Sequence, residues 1–316
     1  NSTITNPTLE DVLNFGETRD FAAARTAILK ELAVRHLTRV FEEIEQPLIS
    51  VVEQMNKTGI AVDTAYLKIL SKKYHKELAD REKKIWELAG GTFNLNSPKQ
   101  LGEVLFVKMG LKPLRQKKTA GGALSTRESE LEKLREAHPV IAPILEYREF
   151  QKLLSTYIDT IPQMVAKDGR LHARFLSAGS TTGRMASEDP NLQNIPVQTP
   201  LGRAIRNAFV AEKGKVLLGF DYSQIELRVA AILSRDPKFM DIFKTGGDVH
   251  TAVAREVFGV SLEKVTKDLR RKAKVINFGI LYGMGVNSLR TALSEGGVPV
   301  SREEAAQFLE QYFARF

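Results

Sequence analysis

Four residues in the last third of the chain recur at intervals of four: Arg270, Lys274, Phe278 and Tyr282. On a helix each such step advances about 6 Å and drifts by about 40°, so the spacing predicts a slowly winding stripe of two cations and then two aromatics. Arginine offers phosphate a bidentate fork and lysine a point charge. An aromatic ring two turns further on can stack against a nucleobase. The stripe has the order and length to hold a nucleoside triphosphate, and a basic helix with a core-facing aromatic end would use the same residues. Asp221 closes the apolar run Lys215-Val-Leu-Leu-Gly-Phe-Asp221, which reads as a buried strand leading into a helix. A strand end fixes a carboxylate while leaving it open to a divalent cation. Ser223-Gln-Ile-Glu226 is also a capping-box pattern, by which Asp221 and Glu226 would only start a helix.

Two further segments carry polar chemistry. Thr181-Thr-Gly-Arg-Met-Ala-Ser-Glu-Asp-Pro-Asn-Leu-Gln-Asn-Ile-Pro196 is too polar for a core and offers Arg184, Asn191, Gln193 and Asn194 as forked donors. Such donors suit the acceptors of a DNA minor groove, or else a turn network. The stretch from Leu111 to Arg127 holds Lys112, Arg115, Lys117, Lys118 and Arg127 and no acid before Glu128, around Ala120-Gly-Gly-Ala123. A basic loop between helices is a phosphate-contacting tip or an ordinary exposed loop.

The elements that must position these residues divide the chain. Phe21 to Leu37 lacks breakers, and Phe41-Glu-Glu-Ile-Glu-Gln-Pro-Leu48 opens a further helix. Asp63 to Leu88 is a long charged helix ended by Gly90-Gly91, with Lys and Glu spaced for i,i+4 pairs. Ser97-Pro98 reads as an N-cap followed by a first-turn proline, and Ser125-Thr-Arg-Glu128 as a capping box. From about residue 170 the texture changes: Gly169–Phe175 alternates as a strand, 177–199 is turn-rich, and the chain from Ser223 onward reads as helical. A helical half is followed by an α+β half.

Composition bounds the function. The chain has 316 residues, enough for about two domains. Its formal net charge is +8 and it has no cysteine, which suits a polyanionic partner and excludes disulfides, Cys-ligated zinc and thiol nucleophiles. No apolar run approaches the roughly 20 residues of a membrane helix, and Asn1-Ser-Thr-Ile-Thr-Asn-Pro7 has no basic n-region, so a cytoplasmic protein without membrane partners is expected. The missing initiator Met and the uncapped amphipathic end at 304–316 read as those of a fragment.

Taken together, Thr-Gly-Arg184, Asp189-Pro-Asn-Leu-Gln-Asn-Ile-Pro196, Asp221-Tyr-Ser-Gln-Ile-Glu-Leu-Arg228 and Arg270-x3-Lys274-x3-Phe278-x3-Tyr282-Gly283 resemble, in order and spacing, successive motifs of family A DNA polymerases, the bacterial DNA polymerase I type. Ile44-Glu-Gln-Pro-Leu48 and Phe93-Asn-Leu-Asn-Ser-Pro-Lys-Gln-Leu101 resemble that family's thumb. The resemblance covers nearly the whole chain. It implies an α+β fold of right-hand architecture, with a mostly helical thumb and fingers and an incomplete antiparallel palm sheet. The implied domains are an exonuclease-like remnant at 1–41, thumb at 42–165, partial palm at 166–228 and partial fingers at 229–316.

The same resemblance implies residue roles. Asp221 matches the carboxylate that binds two Mg2+ ions, with the Tyr222 carbonyl as a further ligand. Gln224 falls among the nucleotide-binding positions, and Glu226 matches the gate that crowds a ribose 2′-hydroxyl. Arg270, Lys274 and His250 match contacts to the incoming triphosphate. Phe278 matches the residue packed on its sugar and base, and Tyr282 the one near the templating base. Arg184 matches a minor-groove contact at the primer terminus, with Asn191, Gln193 and Asn194 beside it. Asn94 and Ser97 match thumb contacts to the duplex, to which the basic loop with Lys112, Arg115, Lys117 and Lys118 would add. The expected function is template-directed DNA synthesis from dNTPs on primer-template DNA in replication and repair, by a monomer. No His-Asp-Glu element follows the fingers before Phe316, so the chain alone is expected to be inactive. No Tyr-x3-Asp element is legible in residues 1–40, so proofreading is not implied. A single-subunit RNA polymerase relative would share the strand-end Asp and fingers helix, but the bulky Glu226 argues against ribose. A non-catalytic DNA-binding module would not need the triphosphate stripe.

Overall fold

In a computed structural model the structure describes residues 7–111, 121–122, 124–177, 179–180, 182–197, 199–294 and 299–316. The chain folds as two compact units, Asn1–Leu217 and Leu218–Phe316.

The first unit opens with helices Leu9–Phe15 and Phe21–Val34. A helix opening at Thr38–Val40 passes through an underwound π-helical turn at Phe41–Glu45 into α1 (Gln46–Thr58), so the segment expected to open a helix lies within one that starts three residues earlier. Strand β1 (Ile60–Val62) and the long α2 (Thr64–Ala89) follow. Asp63 caps α2 through Tyr66 N–H, and Gly90 ends it in the left-handed conformation at φ 69°, which a side chain would strain. Leu67, Leu70, Tyr74 and Ile85 repeat at helical spacing and are buried. They pack against α3 (Ile141–Leu153), itself apolar on most of its surface. The N-terminal half of α2 lies in a core with Phe150, Leu153 and Ile158, and the C-terminal half in another with Leu101, Leu131 and Ile141.

The alternating stretch expected as one strand is two: β2 (Arg170–Leu171) and β3 (Arg174–Leu176). β2 pairs with β1, and β1 with β5 (Phe209–Val210), in an antiparallel sheet, while β3 pairs antiparallel with β4 (Ala186–Glu188). Gly59 permits the first sheet, since a Cβ there would come within 2.6 Å of the Leu171 carbonyl oxygen.

One expected strand is absent. Residues 215–220 form neither helix nor strand, and Val216, Leu218 and Phe220 are 75, 73 and 92% exposed. A strand needs a neighbour for its backbone N–H and C=O groups and layers over its faces, and the described residues supply neither to this segment. The Ser125-Thr-Arg-Glu128 capping box is also not formed. The helix Glu128–Glu132 starts after Arg127 without a side-chain cap, while Ser125 Oγ accepts from Arg127 N–H.

The second unit is helical: α4 (Ile225–Ser234), α5 (Pro237–Lys244), α6 (Val249–Phe258), α7 (Lys267–Leu281), α8 (Val286–Ser294) and α9 (Arg302–Arg315). Their core gathers Leu227, Phe239, Val253, Ile276, Leu289 and Tyr312. No helix among the described residues is long and apolar enough to cross a membrane.

Candidate nucleotide-binding site

Helix α7 carries the four-residue rhythm. Ala273, Ile276 and Asn277 are buried on one side, whereas Arg270, Lys274 and Phe278 line a cleft of about 330 Å³. Tyr282 sits one residue beyond the helix as its C-cap and is exposed. Its ring lies 6.4 Å from that of Phe278 with 14° between planes, so the stripe's aromatic end is a stacked pair. The cleft is also lined by Asp221, Tyr222, Gln224, Glu226 and His250. Every nucleotide-site residue expected from sequence is therefore brought to one place, except Tyr282, which stands next to it through Phe278.

The cations of α7 have separate partners. Arg271 and Lys272 both pair with Asp268. Arg270 is gripped by Asp248, with Nε to Oδ2 at 2.7 Å and Nη2 to Oδ1 at 3.0 Å. Lys274 makes no ion pair among the described residues and keeps its charge for the cleft.

Asp248 is the residue sequence reasoning left without a role. It is the N-cap of α6, accepting from Thr251 N–H and its hydroxyl as well as from Arg270. Burial alone would raise its pKa, but the bonds from Arg270 and Thr251 outweigh burial and hold it well below the usual carboxylate range. The legible signal was Asp248-x-x-Thr251, an N-cap with its third residue. A carboxylate with a depressed pKa contributes stability that is complete above its unfolded value near 3.9 and is lost as pH falls through the folded value. Asp248→Asn should therefore cost about 1.5–2 kcal/mol at pH 7, the worth of the charge-assisted contact to Arg270, since Asn caps a helix about as well as Asp. The difference from wild type should shrink below about pH 4. Urea denaturation of both proteins at pH 7 and pH 3 measures this; a pH-independent gap would show that the pair is not linked to stability.

His250 is buried in the first turn of α6, 3% exposed, with its ring 5.8 Å from Phe278. Burial, reinforced by Arg270 and Lys274 and opposed by Asp248, pushes its pKa down, so the ring is neutral at physiological pH. Its recorded hydrogen bond is to the Asn277 side chain, Nδ2 to Nδ1 at 3.0 Å.

Asp221 is exposed and, contrary to expectation, is not held on a strand. The capping-box reading of Ser223–Glu226 does not hold either. Helix α4 follows Gln224, which is left-handed at φ 55° and makes no side-chain cap, and Glu226 faces the cleft wall from the first turn. Among the described residues no three His, Asp or Glu side chains converge as a metal ion would require. Asp221 and the Tyr222 carbonyl are thus too few donors to make a divalent-metal site by themselves.

In the other unit, Asn94 and Ser97 share one turn. Ser97 Oγ caps the helix Pro98–Gly102, as expected, and Asn94 Oδ1 accepts from Asn96 N–H. Arg184, Asn191, Gln193 and Asn194 are exposed around β4 and a 3-10 turn. Two of these side chains serve the turn network: Asn191 Oδ1 accepts from Gln193 N–H, and Gln193 Nε2 donates to the Met185 carbonyl. The turn is anchored to the core by the Tyr157 hydroxyl, which donates to the Asn194 carbonyl at 2.6 Å. Lys112, Arg115, Lys117 and Lys118 lie outside the described residues.

Comparison with known proteins gives one answer. The family model for DNA polymerase family A matches residues 64–316. A thermostable DNA polymerase I of Thermus thermophilus is 50% identical over 88% of this chain and 33% of its own length. That of Thermus aquaticus is 46% identical over 95% and 37%, and DNA polymerase I of Pseudomonas aeruginosa 45% over 90% and 31%. The chain thus spans about a third of these relatives. Among solved structures, the POL domain of Pol1 from M. smegmatis, in complex with DNA primer-template and dNTP, matches with a TM-score of 0.85 at 34% identity, covering 100% of this chain and 58% of that one.

Proposed function

Because this chain belongs to DNA polymerase family A, we propose that it forms the nucleotide-selecting and DNA-holding part of an enzyme that extends a DNA primer from dNTPs in replication and repair. The observation that carries this reading is the convergence of Arg270, Lys274, His250, Phe278, Asp221 and Glu226 on one cleft. The primer-template and dNTP bound to the M. smegmatis neighbour support the same partners here. Residues 1–41 would be the exonuclease-like remnant, 42–165 the thumb, 166–228 the palm and 229–316 the fingers of a monomeric cytoplasmic enzyme.

The reaction would be attack of the primer 3′-hydroxyl on the dNTP α-phosphorus with departure of pyrophosphate. Two divalent cations, Mg2+ by this proposal, would polarise the hydroxyl and offset charge on the leaving group when bound. The described residues do not by themselves compose that metal pair, so the chain alone should not extend a primer. What they do is position. Lys274 and the outer face of the Arg270 guanidinium hold the triphosphate, and His250 adds a neutral donor. Phe278 packs on the sugar and base, and Tyr282 stands where the templating base would stack. Asn94, Ser97, Arg184, Asn191, Gln193, Asn194 and the basic loop hold the duplex.

Calorimetric titration of the chain with nucleotides tests this. All four dNTPs should bind with similar affinity, and the matching monophosphates at least tenfold more weakly, because the cations recognise the phosphate tail. Equal affinity for mono- and triphosphate would overturn the assignment.

A further inference from the structure

The buried face of α7 holds one polar side chain that the proposed chemistry does not use. Asn277 is 0% exposed among Ala273, Ile276 and Ile280, where an apolar residue would pack without cost. Its amide spends its nitrogen on His250 Nδ1 at 3.0 Å, and its Oδ1 is buried with no hydrogen-bond partner. As placed, the amide leaves Oδ1 and its second N–H unmet; reversed, it would leave both N–H donors unmet, which is the worse case because a buried orphan N–H is rarer than an under-satisfied carbonyl oxygen. An N–H that donates to Nδ1 requires the lone pair there, and a neutral imidazole then carries its proton on Nε2. Nδ1 being taken, Nε2 is the nitrogen that His250 has left for the cleft it lines.

We propose that Asn277 is a positioning residue: its amide fixes His250 as the Nε2–H tautomer, so that the ring meets a triphosphate as a neutral hydrogen-bond donor. The opposite tautomer would turn a lone pair toward phosphate oxygens and repel them. A neutral donor also leaves the cleft's positive charge to Arg270 and Lys274, with Asp248 already engaged by Arg270. The bond ties α6 to α7 at a second point beside the Asp248–Arg270 pair, seven residues further along α7. The part of the proposal that concerns phosphate rests on the nucleotide-site reading, whereas the tautomer stands independently of it.

Histidine-selective 15N NMR of the 316-residue chain separates the two. The chain has five histidines, and the signal missing from His250→Gln identifies the one in question. In wild type His250 should be neutral with the proton on Nε2. In Asn277→Leu, a near-isostere, the tautomers should mix, and dNTP affinity should fall about tenfold, the worth of one hydrogen bond to a charged group. Asn277→Asp offers Nδ1 only acceptors and should place a proton there, which keeps the test decisive if the Leu variant fails to fold. A wild-type proton on Nδ1, or an Nδ1 left unprotonated in the Asp variant, would overturn the proposal. If wild type carries Nε2–H yet binds no dNTP, the nucleotide site is wrong and the control of the tautomer by Asn277 stands.

Discussion

Lys274→Ala should lower kcat/KM for every dNTP in the complete protein by about 10²–10³-fold, the loss typical of removing one preorganised donor from developing charge. The stability of the fold should hardly change. Both halves of that expectation come from the side chain's surroundings. Lys274 lines the cleft and has no ion pair among the described residues, so its removal leaves no carboxylate stranded. Arg270→Ala is different. It should lose catalysis to a similar degree and also destabilise, because Asp248 would keep its caps but lose both guanidinium bonds. Arg270→Lys should retain part of the charge while failing to span both carboxylate oxygens, and so recover less than half of the lost stability. Single-turnover incorporation and urea denaturation, run on the three variants, report the two effects separately. A Lys274→Ala enzyme within threefold of wild type would remove the lysine from the triphosphate site.

The recurrence of Arg270, Lys274, Phe278 and Tyr282 was legible because a helix converts spacing into a face, and α7 does so almost to its end. Local rules also worked where local bonds decide: Ser97 caps as its neighbours dictate, and Gly90 stops α2. They failed at Lys215–Asp221, where apolar composition predicts a strand but pairing depends on partners far away in sequence. They failed again at Ser125 and Ser223, where the capping pattern is present but the backbone starts each helix one or two residues later. Asp248 and Asn277 were not read as parts of the site for a related reason. Each acts through a residue more than 20 positions away, and neither an N-cap nor a lone Asn in a helix announces its distant partner. The family resemblance supplied roles for Asp221 and Glu226 that spacing alone left open between cap and site. The uncapped start of α4 removes the cap as an explanation for both.

That last point sharpens what Glu226→Ala should do in the complete enzyme. Glu226 lies in the first turn of α4 and lines the same cleft as Phe278 and His250, five residues after Asp221. If Asp221 lies near the reacting phosphate and Arg270 and Lys274 take the tail, Glu226 is left beside the sugar. A ribose 2′-hydroxyl would then overlap the carboxylate and strand polar groups without partners, a cost of about 1–3 kcal/mol. Removing the side chain should raise the ratio of NTP to dNTP kcat/KM by about 10–100-fold, with dNTP addition slowed far less. The stability effect should be about 1 kcal/mol at most, the scale of an acid in a first turn on the helix dipole and of a partly exposed polar contact. Steady-state kinetics with one dNTP and its matching NTP on both proteins decide the matter. A ratio that does not move would show that the 2′-hydroxyl is excluded elsewhere, and would leave Glu226 as a helix-start charge facing an open cleft.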